Sequence, residues 1–177
     1  PKIILTKPVQ FSYSQIEALK NALILFFYLF TQSETFQFRT YMMDIQKAFD
    51  LAKQARLNAH APYSKFLVGA AIKPNNSDTL YTGCNVENAS YGGTICAERT
   101  AITKMVSEVG SQTLDYVVVV TDSNPLAGPC GMCLQVISEF SDKNTKIHLF
   151  NLEGLHKEYS FSEMLPLSFT KDWLPKN

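Results

Sequence analysis

Five consecutive apolar residues, Tyr116-Val117-Val118-Val119-Val120, set the strictest limit on what this chain can become. An alternating strand buries one face, whereas a run that is apolar at every position needs cover on both, as in the centre of a sheet layered by helices. The sequence offers that cover before and after the run. Ile45, Ala48, Phe49, Ala52 and Ala55 recur with a period near 3.6. Asp44 is the expected N-cap of this helix, and Pro62 sets its end near Ala59. A second helix is expected from about Cys96 to Glu108, through Ala97, Ala101, Ile102, Met105 and Val106. Pro129 opens a third, "CGMCLQVISEF", at a first-turn position where its missing N–H costs nothing.

The segments Phe66–Ile72 and Thr79–Asn85 read as a hairpin around the turn-rich Lys73–Asp78. Lys146–Asn151 and Lys157–Phe161 are shorter strands, and Glu163–Phe169 is a closing turn. The order helix, two strands, helix, strand, helix, strands predicts an α/β fold, a mixed sheet with helices on both faces.

At 177 residues one domain is expected. Sixteen basic and sixteen acidic residues cancel, which argues against a nucleic-acid footprint but leaves room for an uncharged nucleoside. The apolar run Ala22–Phe30 is shorter than the roughly 20 residues of a spanning helix. No small-x-small cleavage site follows it, so no membrane association is expected and a targeting signal is disfavoured. Residues 1–41 are set apart as an N-terminal extension, open between an added segment, upstream sequence read in frame and a disordered lead; the domain proper is 42–177. Four cysteines without a convincing secretion signal read as thiols, and the expected location is cytoplasmic.

Three of those thiols stand at helix starts. Cys96 is followed two residues later by Glu98, and Cys130 and Cys133 form a Cys-x-x-Cys pair. Zinc favours sulfur ligands in tetrahedral geometry, and a catalytic site keeps three protein ligands and one water. A redox dithiol is the alternative for Cys130 and Cys133, but it leaves Cys96 and Glu98 without a role. Cys84 lies in an alternating strand and reads as a small buried hydrophobe. His60, beside a proline turn, His148, in a strand, and His156, in a polar loop, read as structural. A zinc-bound water with a pKa near 7 needs a base beside it, and Glu98 on the first helical turn is placed for that. Three thiolates leave the metal net negative. Two helix N-termini, and Arg99 hydrogen-bonded to a cysteine sulfur, would withdraw that charge.

These blocks resemble the zinc nucleoside and nucleobase deaminases, whose signature is a His or Cys before x-Glu and then Pro-Cys-x-x-Cys. "APYSKFLVGAA", "GCNVENASYGGTICAERTAI", "PCGMCLQVISEF" and "MLPLSF" are similar to the short, homotetrameric cytidine deaminases in the family's order, from about Met43 to Leu174. The resemblance implies a three-layer α/β/α fold on a five-stranded mixed sheet and one Zn²⁺ per chain. It also implies hydrolytic deamination of cytidine and deoxycytidine in pyrimidine salvage, with Glu98 moving protons. By the family pattern Asn85 and Glu87 bind the ribose hydroxyls, Phe66 faces the base, and the backbone near Ala97 reads its edge. Ala89, Tyr91 and Phe169 would serve a neighbouring subunit's site, so active sites are shared. One departure stands out: the family usually has arginine where this chain has Leu134. Blasticidin-type deaminases share the zinc motif, but "NVEN" favours cytidine. Polynucleotide editing would need a basic, aromatic-studded groove. A zinc-stabilised binding module would have no use for Glu98.

Overall fold

The computed structural model of the chain describes residues 13–175. The first 12 residues of the extension lie outside the described residues, as do the side chains of the apolar run Ala22–Phe30. The chain divides into two units, Pro1–Met43 and Asp44–Asn177. In the first, residues 13–43 are helical throughout. Among the described residues no helix is long and apolar enough to cross a membrane.

The first helix, α1, is Tyr13–Arg56, so Asp44 is not an N-cap. No glycine or proline lies between Pro8 and Pro62 to start a helix anew, and an aspartate inside a helix reads like one at its mouth. The Asp44 carboxylate instead pairs with Lys73 Nζ at 2.7 Å. The helix also stops three residues before the expected Ala59.

Five strands follow: β1 (Gly69–Pro74), β2 (Tyr81–Cys84), β3 (Leu114–Val120), β4 (Lys146–Phe150) and β5 (His156–Ser160). They form one sheet in the order β2-β1-β3-β4-β5. Only β3 and β4 are parallel; β1–β2, β1–β3 and β4–β5 are antiparallel. The expected mixed five-stranded sheet is what forms. Expected strand residues 66–68 fall outside β1, because side-chain bonds from Asn85 hold their backbone. His156 opens β5 rather than lying in a loop.

The register sorts the side chains into two buried faces. Ile72, Val117 and Ile147 align across β1, β3 and β4. They pack with Ile102 and Met105 of α2 (Ala97–Val109) and with Leu134 and Ile137 of α3 (Gly131–Ser138). The opposite face meets the last turns of α1, where Phe49 lies 4.7 Å from the Phe150 ring. Both faces of β3 are therefore covered, as its unbroken apolar run requires.

Two glycines bring helix backbones onto the sheet. A Cβ on Gly69 would stand 2.0 Å from the Ala52 carbonyl oxygen in α1. One on Gly83 would stand 2.4 Å from the Ala97 carbonyl oxygen, at the first turn of α2. The second contact fixes the height at which Cys96 and Glu98 sit above the sheet.

His148 is fully buried on the α1 face, with its Nδ1 3.0 Å from His156 Nε2, so one imidazole donates to the other. Tyr116 meets its ring edge-on, and Glu158 Oε2 lies 3.8 Å away. Burial pushes His148 down to about 4, against roughly 6.5 in the unfolded chain. As pH falls, the unfolded chain therefore takes up the proton first. This contribution to stability is intact above pH ~6.5 and is lost progressively towards pH ~4, by at most about 3 kcal/mol. Urea unfolding at pH 7 and pH 4.5 should show that loss, and His148→Leu should flatten it. An equally steep dependence in the variant would place the sensitivity elsewhere.

Candidate active site

Cys96 and Cys130 occupy equivalent positions in two helices. Each is an N-cap in extended backbone, φ −75° and ψ 159° for Cys96, φ −69° and ψ 165° for Cys130. Their carbonyls accept the first helical bonds, from Thr100 N at 3.0 Å and Leu134 N at 2.9 Å. Neither sulfur is spent on capping, so both remain available before the positive end of a helix. Pro129 therefore precedes the N-cap instead of opening the first turn. Its fixed φ sets the approach of the chain.

The Cys130 sulfur lies 3.8 Å from Cys96 Sγ and 3.5 Å from Cys133 Sγ, and all three lie within 4.8 Å of one another. Sulfurs held about 2.3 Å from one tetrahedral ion stand roughly 3.8 Å apart. Spacing and donor set both fit zinc, with a fourth position left open. Cys84, at the end of β2 and half-buried, is not in the cluster. Arg99 Nη2 donates to Thr94 O at 2.7 Å and lies 3.7 Å from Cys96 Sγ; its Nε is buried with no hydrogen-bond partner. A hydrogen bond with Cys133, followed by one from Arg99, draws Cys96 down to about 5. The bond with Cys96 pushes Cys133 the other way.

Glu98, two residues into α2, is only 3% exposed. Burial raises its pKa above the ordinary carboxylate range, and the charge on Cys96 adds to the rise. It lines a cavity of about 240 Å³ with Cys96, Cys130, Phe66, Asn85 and Glu87. Val119 and Thr121, at the carboxyl end of β3, line it as well. A second recess, of about 410 Å³, shares Ser64, Glu87 and Thr94 with this cavity and adds Tyr63 and Tyr91.

Of the remaining candidates, Phe66, Asn85 and Glu87 line the cavity and Tyr91 the adjoining recess. Glu87 accepts from Tyr63 N at 2.9 Å, from Ser64 N at 3.2 Å and from the Ser64 hydroxyl, which holds it below its usual range. Asn85 accepts from Val68 N at 2.8 Å and donates to Phe66 O at 2.8 Å. It therefore braces the loop that carries Phe66, a duty the sequence did not announce. Ala97 is buried in the first turn of α2 and Ala89 is exposed. Phe169 is 57% exposed and lies beside the end of α3, where its carbonyl accepts from Gln135. Its own chain does not bring it to the cavity. Ser64, Val68 and Thr94 line the site from within the quoted blocks without having been singled out, and Thr121 lines it from outside them.

Residues 42–149 match the family described as the cytidine and deoxycytidylate deaminase zinc-binding region. The chain belongs to this deaminase family. Its members catalyse zinc-dependent hydrolytic deamination of cytidine. The chain is 43% identical over 130 residues to a cytidine deaminase of Sporosarcina psychrophila, covering 73% of this chain and 94% of that one. It is 45% identical over 130 residues to a cytidine deaminase of Halalkalibacterium halodurans, covering 73% and 97%. The crystal structure of cytidine deaminase from Burkholderia pseudomallei superposes with a TM-score of 0.66 at 37% identity, over 70% of this chain and 98% of that one. The fold is thus that of the deaminase family, a hydrolase fold with a zinc-binding region. Where the family resemblance calls for arginine, Leu134 is buried in the apolar core with Ile102 and Leu149.

Proposed function

We propose that this chain deaminates cytidine and deoxycytidine to uridine and deoxyuridine, releasing ammonia. One observation carries the reading: a buried carboxyl, Glu98, lines a nucleoside-sized cleft with Cys96 and Cys130, which stand at metal-ligand spacing with the buried Cys133. Cys96, Cys130 and Cys133 would hold the zinc ion, which would supply water activation at neutral pH and withdraw charge from the reacting centre.

The chain's own residues do the rest. Glu98 takes a proton from the attacking water and hands it to the ring nitrogen N3. It then takes a second from the hydroxyl added at C4 and gives it to the amine, so that the C4–N bond breaks and ammonia leaves. Arg99 and the N-termini of α2 and α3 offset negative charge on the sulfurs. Phe66 offers an apolar face to the pyrimidine. Glu87, kept anionic by the Tyr63–Ser64 turn, accepts from ribose hydroxyls, and Asn85 keeps one amide hydrogen for the same purpose. The backbone near Ala97 reads the base edge.

Residues 42–177 form the catalytic domain, to which residues 1–41 are an extension. The enzyme works in the cytoplasm, where thiols stay reduced, in pyrimidine salvage. Purified chain should deaminate cytidine and deoxycytidine, lose activity to a chelator and process free cytosine poorly. A chain starting at Met42 or Met43 should do the same. Equal turnover of cytosine and cytidine would overturn the ribose-binding role of Asn85 and Glu87.

The reading extends to a homotetramer with shared sites. Phe66 covers one face of the base, and the exposed Phe169, with Ala89 and Tyr91, would complete a neighbour's cleft. Glu98→Gln and Phe169→Ala, each inactive alone, should regain part of the parent activity when refolded together. No gain above the sum of the separate variants, with mixed tetramers confirmed, would confine each site to one chain.

A further inference from the structure

Arg56, the last residue of α1, takes no part in the chemistry described above, yet its side chain is only 7% exposed. Burying a guanidinium is costly unless both its charge and its N–H groups are matched. Here they are matched by two loops. Nε donates to Leu67 O at 2.9 Å, and Nη2 meets Asp122 Oδ2 at 2.9 Å. Leu67 lies between Phe66 and Val68 on one wall of the cleft, and Asp122 follows Thr121 on the wall beside it, at the end of the neighbouring strand. Gly69 makes room for this arrangement, since a Cβ there would stand 2.8 Å from Arg56 Cβ.

We infer that Arg56 is a positioning residue: its guanidinium ties the 66–68 wall to the adjoining 121–122 wall and so holds Phe66 and Thr121 in place in the nucleoside cleft. Asn85 braces the first wall from the sheet side, through Val68 N and Phe66 O, and Arg56 holds it from the helix side. The planar fork matters, because one group must serve a carbonyl and a carboxylate at separate angles. A lysine ammonium is a single point on a flexible stem and replaces one tie, not both.

The inference rests on the cytidine reading for its kinetic consequence, though not for its structural one. In the full-length zinc enzyme, Arg56→Lys should raise KM for cytidine about tenfold, as expected for losing one charged hydrogen bond. Turnover should stay within about twofold and zinc at one per chain, since the proton carrier and the ligands are untouched. Asp122→Asn, at a carboxylate 54% exposed, should show a smaller KM rise and decides the matter if Arg56→Lys does not fold. Hydrogen exchange gives a readout without substrate. The Val68 and Thr121 amides should exchange about tenfold faster in either variant, while the α2 and β4 amides keep the parent rate. Unchanged exchange at both walls would overturn the inference. So would a fall in turnover without a change in KM, or a loss of zinc. A parent that leaves cytidine untouched would sink the functional reading, and the exchange rates would still judge the tie.

Discussion

Replacing Glu98 by Gln lowers turnover of cytidine by about 10²–10⁴-fold, the usual worth of a positioned proton carrier. The amide matches the carboxyl in shape but cannot carry a proton from water to base. Because Glu98 is buried and its pKa is raised, a neutral amide suits its surroundings no worse than the carboxyl. Thermal stability should therefore hold, and zinc should remain at one per chain because Glu98 is not a ligand. Nucleoside binding, read by isothermal titration, should also persist. Turnover within about threefold of the parent would remove Glu98 from the chemistry. Loss of zinc alongside turnover would show that the carboxyl supports the metal cluster instead.

The larger effect is expected at the thiols. Replacing Cys96, Cys130 or Cys133 by Ala should reduce bound zinc from one per chain to nearly none and lower activity by more than about 10³-fold. The metal brings the pKa of water from 15.7 towards 7, and nothing else in the cleft can do so. Two sulfurs hold zinc far less well than three, since each vacated position is filled by water. Cys84→Ala is the control. That thiol closes β2, opposite Gly69, outside the cluster, so its loss should leave metal and turnover as they were. Metal analysis by mass spectrometry reads both arms. Zinc retained in Cys96→Ala and lost in Cys84→Ala would reverse the ligand assignment.

Residue types at characteristic spacings made the reactive group legible in the sequence. Cys96, Glu98, Cys130 and Cys133 carry chemistry in their side chains, and their order alone implied two helix starts meeting. The uniform apolar run of β3 likewise announced a sheet covered twice. What stayed hidden depends on distances no local pattern encodes. Arg56 looks like any helix-terminal cation until Leu67 and Asp122 arrive beside it. Asn85 reads as a binding residue, yet it also braces the Phe66 loop. The start of α1 was misplaced for a different reason, because a long helix without breakers offers several plausible first turns. The pairing of His148 with His156 needed the β4–β5 register, which the polar look of residues 151–156 concealed.

The placement of Cys96 and Cys130 at N-caps has a practical outcome. Their backbones are fixed by helices that already form around other bonds, so little ordering is required when a metal arrives. This sets the chain apart from small finger domains that collapse when stripped. Gentle dialysis should give an empty protein that keeps its secondary structure and accepts a substitute ion. Cobalt(II), whose visible bands report ligand number and symmetry, would colour the cleft on binding and shift that colour when a nucleoside enters.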